Sequence, residues 1–215
     1  PAAMKRLLLS LALAFPLAAA TAPAALAQQA APATSTASKQ VLENGTRILS
    51  TLQQRRAEFQ KSPAALRAFI DSELSASFDR EYAAKLVLGP HGRGASEADV
   101  KLFADAMVDS LVQQYGQALL NIQGRPRIQL KSEEPLPNGR GVKVATEVVR
   151  DGGSPIPVIY LVRNNGGWKV FDVQVEGVSY VQTFRSQFDT PLRQKSIAQV
   201  AADLRSGNLQ PSKTE

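Results

Sequence analysis

Cysteine is absent from all 215 residues, and there is one histidine and one tryptophan. Without cysteine there is no disulfide staple, no thiol nucleophile and no thiolate ligand, so the fold must be held by its core alone. A lipid anchor attached through cysteine is excluded as well. His91 cannot assemble a zinc site by itself, since such sites draw three or four ligands from His, Cys and carboxylates. Serine–histidine catalysis would need His91 beside an activated serine, and no nucleophile-elbow pattern occurs. Lying between Pro90 and Gly92, His91 is expected in a solvent-exposed loop. Phosphate-cradling glycine loops are also missing, because Gly139, Gly152, Gly153, Gly166 and Gly167 all read as turn residues. The formal charge is only +6, with no Lys/Arg run beyond Arg55-Arg56, so no nucleic-acid partner is expected. Glu133-Glu134 reads as a solvated pair at a strand end, and Asp172 and Glu176 as structural or surface groups. No internal repeat and no second domain are visible.

What is present begins with an address. Lys5 and Arg6 precede an apolar run from Leu7 to Leu17, broken by Pro16, and Ala25-Leu26-Ala27 has the small-x-small form of a cleavage site. Residues 1–27 are therefore expected to be a secretory signal peptide, being too short and too interrupted to span a membrane. Removing Lys5 and Arg6 leaves a formal charge of +4. Residues 28–38, rich in Ala, Gln, Ser, Thr and Pro, are expected to form a disordered leader. A single domain is expected over 39–206, with a flexible tail over 207–215.

Within that domain the apolar period switches between helical and strand spacing. Val41, Ile48, Leu52 and Phe59 share one face of a helix ending before Pro63. Ser62 then caps a helix with Pro63 at its first position, carrying Leu66, Phe69, Ile70 and Leu74. Asp79 is placed to cap a third helix, which Gly89-Pro90 closes. Ser96 and Asp99 resemble a capping box for a long fourth helix, with Val100, Phe103, Met107, Leu111, Tyr115 and Ile122 as its stripe. From Ile128 the period is two. Four strands, 127–131, 142–148, 155–163 and 168–176, are separated by Pro137-Asn138-Gly139, Asp151-Gly152-Gly153 and Asn164-Asn165-Gly166-Gly167. Two helical stretches follow, carrying Val181, Phe184 and Phe188, then Ile197, Val200 and Leu204. Helices, then a curved four-stranded antiparallel sheet, then helices define an α+β fold.

The apolar surface exceeds what one layer needs. The third strand has Val158, Tyr160 and Val162 opposite Ile159 and Leu161. The fourth has Phe171, Val173 and Val175 opposite Trp168 and Val170. A strand apolar on both sides is expected to be covered on both sides. Either both faces are packed core, or one lines a cavity. In the second case, alternation and helical spacing nominate Leu111, Tyr115, Val144, Val148, Val158, Tyr160, Phe171, Val173 and Val175 for its wall. Arg55, Arg56, Lys61, Arg185 and Arg193 fall on polar sides of the expected helices.

The run Trp168-Lys-Val-Phe-Asp-Val-Gln-Val-Glu-Gly-Val-Ser179, followed by Arg185-Ser-Gln-Phe188, resembles the MlaC family, the toluene-tolerance auxiliary components of an ABC transporter. Weaker similarity extends from about Lys39 to Leu204. The loop Gly89 to Gly94 departs from the family in lacking an aromatic residue after Val-Leu-Gly. The resemblance implies a periplasmic phospholipid carrier for outer-membrane lipid asymmetry, not an enzyme, with helices and a curved sheet enclosing the acyl chains of a phospholipid. The lipid would be cargo, and no cofactor or metal is implied. It also implies two partners, an inner-membrane ABC transporter bearing an MCE-domain ring and an outer-membrane lipoprotein–porin complex. Arg185 and Arg193 are then candidates for docking. Two other readings stay open on the residues alone. One is a small-molecule enzyme in a cone-shaped α+β cavity, and the other is a lipid-free periplasmic interaction module.

Overall fold

A computed structural model describes residues 36–209. The expected signal peptide, most of the expected leader and residues 210–215 lie outside the described residues. Seven helices and five strands are described: α1 (Thr36–Gln54), α2 (Arg56–Lys61), α3 (Pro63–Ser77), α4 (Arg80–Leu88), α5 (Glu97–Leu120), β1 (Arg127–Pro135), β2 (Val142–Val149), β3 (Ile156–Asn164), β4 (Trp168–Val175), β5 (Val178–Ser179), α6 (Tyr180–Gln194) and α7 (Ile197–Ser206).

Side-chain caps start most helices, each satisfying a backbone N–H with no partner inside the helix. The Ser62 hydroxyl accepts from Ala65 N at 3.2 Å, and the Asp79 carboxylate accepts from Tyr82 N at 3.2 Å. Ser96 accepts from Asp99 N, and Ser196 forms a full capping box with Gln199. The first helix differs from expectation in two ways. It begins at Thr36, inside the stretch read as a leader, because Ala37 and Ser38 are fully buried. It also breaks at Arg55, so that Phe59 in α2 turns inward to stack on Phe69, with ring centroids 5.4 Å apart. Ile122 falls beyond the end of α5.

The strands form an antiparallel meander in the order β1-β2-β3-β4-β5. The two-residue β5, after a left-handed turn at Glu176-Gly177, is an addition to the four strands expected. A bulge changes the reading of β4. Leu161 pairs with Asp172 but Val162 pairs with Val170, so Phe171 has no cross-strand partner. One extra residue reverses the alternation. Trp168 and Val170 therefore join Val173 and Val175 on the inner face instead of opposing them. Outer-face Ile159 and Leu161 of β3 are half-buried.

Three apolar clusters surround that inner face. Phe103, Phe188 and Leu204 centre one among α4, α5, α6 and α7. Ala37 and Val41 of α1 pack on Val144 and Val162 in the second. Leu52, Phe59, Leu66 and Leu120 form the third, where α1, α2, α3 and α5 meet. α1 lies close to the sheet at Gly45, where a β-carbon would come within 2.3 Å of Ile128 Cδ1.

Candidate functional site

Between these clusters the inner face of the sheet is not filled. A cavity of about 430 Å³ remains, within the roughly 300–1,000 Å³ typical of small-molecule sites. Its floor is Val148, Tyr160, Val170, Val173 and Val175 of the sheet. Its roof is Val41 and Ile48 of α1, Ile70 and Leu74 of α3, and Met107 and Leu111 of α5. At one side stand the aromatic rings of Tyr115, Tyr180 and Phe184, the first two in an edge-to-face pair at 6.0 Å.

The few ionisable groups bordering the cavity are already engaged. Asp172, 5% exposed, accepts from Ser179 Oγ at 2.5 Å and from Val181 N at 3.1 Å, so its charge is spent on the start of α6. Arg80 pairs with Asp71 at 3.0 Å and Asp105 at 3.4 Å and donates to Ser75 Oγ. Burial pushes the Tyr160 phenol up to about 12. Burial, then the neighbouring Tyr115, raises the Tyr180 phenol too. Both therefore stay neutral at physiological pH. Among the described residues no cluster of three His, Asp or Glu side chains is placed to hold a metal ion.

Of the residues nominated for the wall, Leu111, Tyr115, Val148, Tyr160, Phe171, Val173 and Val175 border the cavity, and Val144 and Val158 do not. Val144 is fully buried under Ala37 and Val41. Val158 is 7% exposed, beside Thr146, whose hydroxyl donates to the Val158 carbonyl at 2.7 Å. Alternation correctly puts both on the inner face, but α1 covers it at Val144. Sequence reasoning missed the contributions of α1, α3 and α6, although the stripe of Val41, Ile48 and Leu52 was its visible trace. It missed Trp168 and Val170 because nothing in the local pattern marks the bulge.

The two docking candidates lie on α6. Arg193 is 71% exposed and pairs with Asp189 at 2.8 Å. Arg185 lays its guanidinium over Gly89, 3.1 Å from where a β-carbon would sit. His91, expected in an open loop, is instead in a tight turn, 23% exposed, with Nε2 2.9 Å from Asp189 Oδ1. That hydrogen bond, with Arg193 and Arg185 nearby, holds the Asp189 carboxyl below its usual range. Glu133, read as solvated, accepts from Ser38 N at 3.1 Å and ties the start of α1 to β1.

A helical shell closed over one face of a bulged antiparallel meander, with an apolar cavity between, defines an α+β cavity protein. The family model described as "MlaC protein" matches residues 43–206, and the chain belongs to the MlaC family. It is 25% identical over 169 residues to the "Intermembrane phospholipid transport system binding protein MlaC" of Haemophilus influenzae, covering 77% of this chain and 78% of that protein. It is 29% identical over 147 residues to "Toluene tolerance protein ttg2D" of Pseudomonas putida, covering 66% of each. Its fold matches that of a phospholipid-binding protein from Ralstonia solanacearum solved in complex with a phospholipid. The TM-score is 0.71 at 19% identity, over 81% of this chain and 97% of the other.

Proposed function

We propose that this protein is a soluble carrier that holds the acyl chains of a phospholipid in the cavity and moves lipid between two membranes. The carrying observation is the cavity itself: an unfilled, almost wholly apolar space on the inner face of the sheet, in a chain of the MlaC family. Each methylene transferred from water to such a wall gains roughly 0.8 kcal/mol. A bilayer offers the same gain, so exchange with a membrane is close to balanced and direction comes from partners. The membrane complexes implied by the family resemblance, a transporter with an MCE-domain ring on the inner membrane and a lipoprotein–porin complex on the outer, fit this division of labour. So does a periplasmic location, reached through the segment 1–27. The spent charges of Asp172 and Arg80 support a binding wall over a catalytic one.

The test is chemical. The full chain is expressed in a bacterial host, purified, extracted into organic solvent and its extract identified by mass spectrometry. Stoichiometric diacyl phospholipid is expected, together with uptake of labelled lipid from vesicles. A protein that emerges empty and takes up nothing would sink the proposal, and a polar metabolite in the extract would replace it with an enzyme reading.

A further inference from the structure

A second recess, of about 460 Å³, lies at the tips of the two hairpins β1–β2 and β3–β4. Its chemistry is opposite to that of the cavity. Arg140 and Arg163 enter it from different hairpins, with Asn164 and Tyr82 beside them. Arg163 is held ready for a ligand. Its guanidinium lies 4.0 Å from the centre of the Tyr82 ring, and its Nε is 3.6 Å from the buried Asp79 carboxylate. That carboxylate is itself occupied by Tyr82 N and Asn165 Nδ2. Arg163 thus has its position and charge balance fixed, yet its side chain makes no hydrogen bond among the described residues. Arg140 donates Nε to the Pro137 carbonyl at 3.3 Å, which leaves its two terminal nitrogens unspent. Its loop is fixed by Gly141, where a β-carbon would stand 2.0 Å from the Val162 carbonyl oxygen, so that only glycine lets the turn close. Two guanidinium groups with unused forks, one preorganised by an aromatic face, match the geometry of a phosphate, which takes paired N–H donors.

Trp168 connects the two sites. It is half-buried and borders both the apolar cavity and the arginine recess. Indole, apolar over most of its surface with one N–H donor, suits a boundary between a dry and a wet compartment. We propose that the recess at the hairpin tips binds the phosphodiester of the phospholipid whose acyl chains occupy the cavity, with Arg140 and Arg163 as its donors and Trp168 at the glycerol level. This rests on the carrier reading above and adds to it a place for the headgroup.

The experiment compares lipids that share their chains and differ in the phosphate. Wild type, Arg140→Glu and Arg163→Lys are loaded from vesicles containing either phosphatidylglycerol or diacylglycerol, and bound lipid is counted by mass spectrometry. Arg163→Lys keeps the charge facing Asp79 while removing the fork, so it guards against simple misfolding. The expected result is a loss of about ten-fold in bound phosphatidylglycerol in each variant, the factor that corresponds to about 1.4 kcal/mol, with diacylglycerol uptake at the wild-type level. Equal loss of both lipids, or no loss of either, overturns the headgroup site while leaving the carrier function standing. A wild type that takes up neither lipid refutes the carrier function itself. Inorganic phosphate separates the two sources of the anion. Arginine-dependent binding of phosphate by chemical-shift titration, with phosphatidylglycerol retention unchanged in both variants, would reassign the recess to free phosphate and overturn the proposal.

Discussion

At the scale of single residues, neighbours on one face of the sheet have different duties. Val144, Tyr160 and Val173 are partners across three strands. Val173 borders empty space, whereas Val144 is fully enclosed by α1. Val173→Trp should therefore give a folded protein with less bound lipid. Val144→Trp should overpack the seat of α1, costing about 1–3 kcal/mol, and lower the melting temperature. Melting curves and lipid counts on both variants check this, and identical behaviour would contradict the distinction. Tyr160 adds a pH dependence. Its phenol ionises near 10 when unfolded and near 12 when folded. Between those values the native state keeps a proton that the unfolded chain gives up. Stability is then intact below about pH 10 and falls as pH rises towards 12, by at most about 2–3 kcal/mol. Tyr160→Phe should flatten that alkaline decline in urea titrations. Alternation and helical spacing together placed seven of the nine wall candidates on the cavity. Alternation failed at Val144 and Val158 because the period of a strand identifies its inner face and not what lies upon it.

At the scale of elements, caps were readable and breaks were not. Ser62, Asp79 and Ser96 each start a helix as their side chains require. The break at Arg55 and the bulge at Phe171 left no local trace, since both serve distant contacts. Phe171 meets the ring of Tyr82 on α4 edge-on, with centroids 5.1 Å apart. Another contact of this kind bears on how lipid enters. α1 and α3 both roof the cavity, and Arg47 of α1 reaches Glu73 of α3 with Nη2–Oε2 at 2.5 Å. Arg47 is half-exposed, and such pairs are worth about 0–1 kcal/mol. Arg47→Gln or Glu73→Gln should leave the melting temperature nearly unchanged while speeding lipid exchange with vesicles, and the charge swap Arg47→Glu with Glu73→Arg should slow it again. Stopped-flow exchange of a fluorescent lipid measures this. Wild-type rates in both single variants would remove the α1–α3 seam from the entry path.

At the scale of the whole molecule, the order of helices, meander and helices was legible because the apolar period changes only where the strands begin and end. The cavity was not, because an unfilled volume is a property of how layers meet. Docking belongs to this scale too. The two membrane complexes proposed above as partners would each have to be bound and left, which favours weak contacts steered by charge. Lipid transfer to the reconstituted inner-membrane transporter should therefore slow between roughly 0.05 and 0.5 M salt, as screening lengths shorten several-fold. Arg193→Glu, which should leave bound lipid in place, should mimic high salt. Equal rates at both salts and in the variant would place docking elsewhere.

The seat of α1 also bears on how the chain folds. Ala37 and Val41, among the first described residues, rest on Val144 and Val162, about a hundred positions later. During synthesis this first part of α1 lacks its strand partners until β2 and β3 have emerged, whereas Leu52 further along packs on α2, α3 and α5. Contacts so distant in sequence form late, because the loop between them must first be closed. A chain cut short before β2 should keep the start of α1 exposed to chaperones and proteases, and that end of the cavity roof should be among the last parts to close.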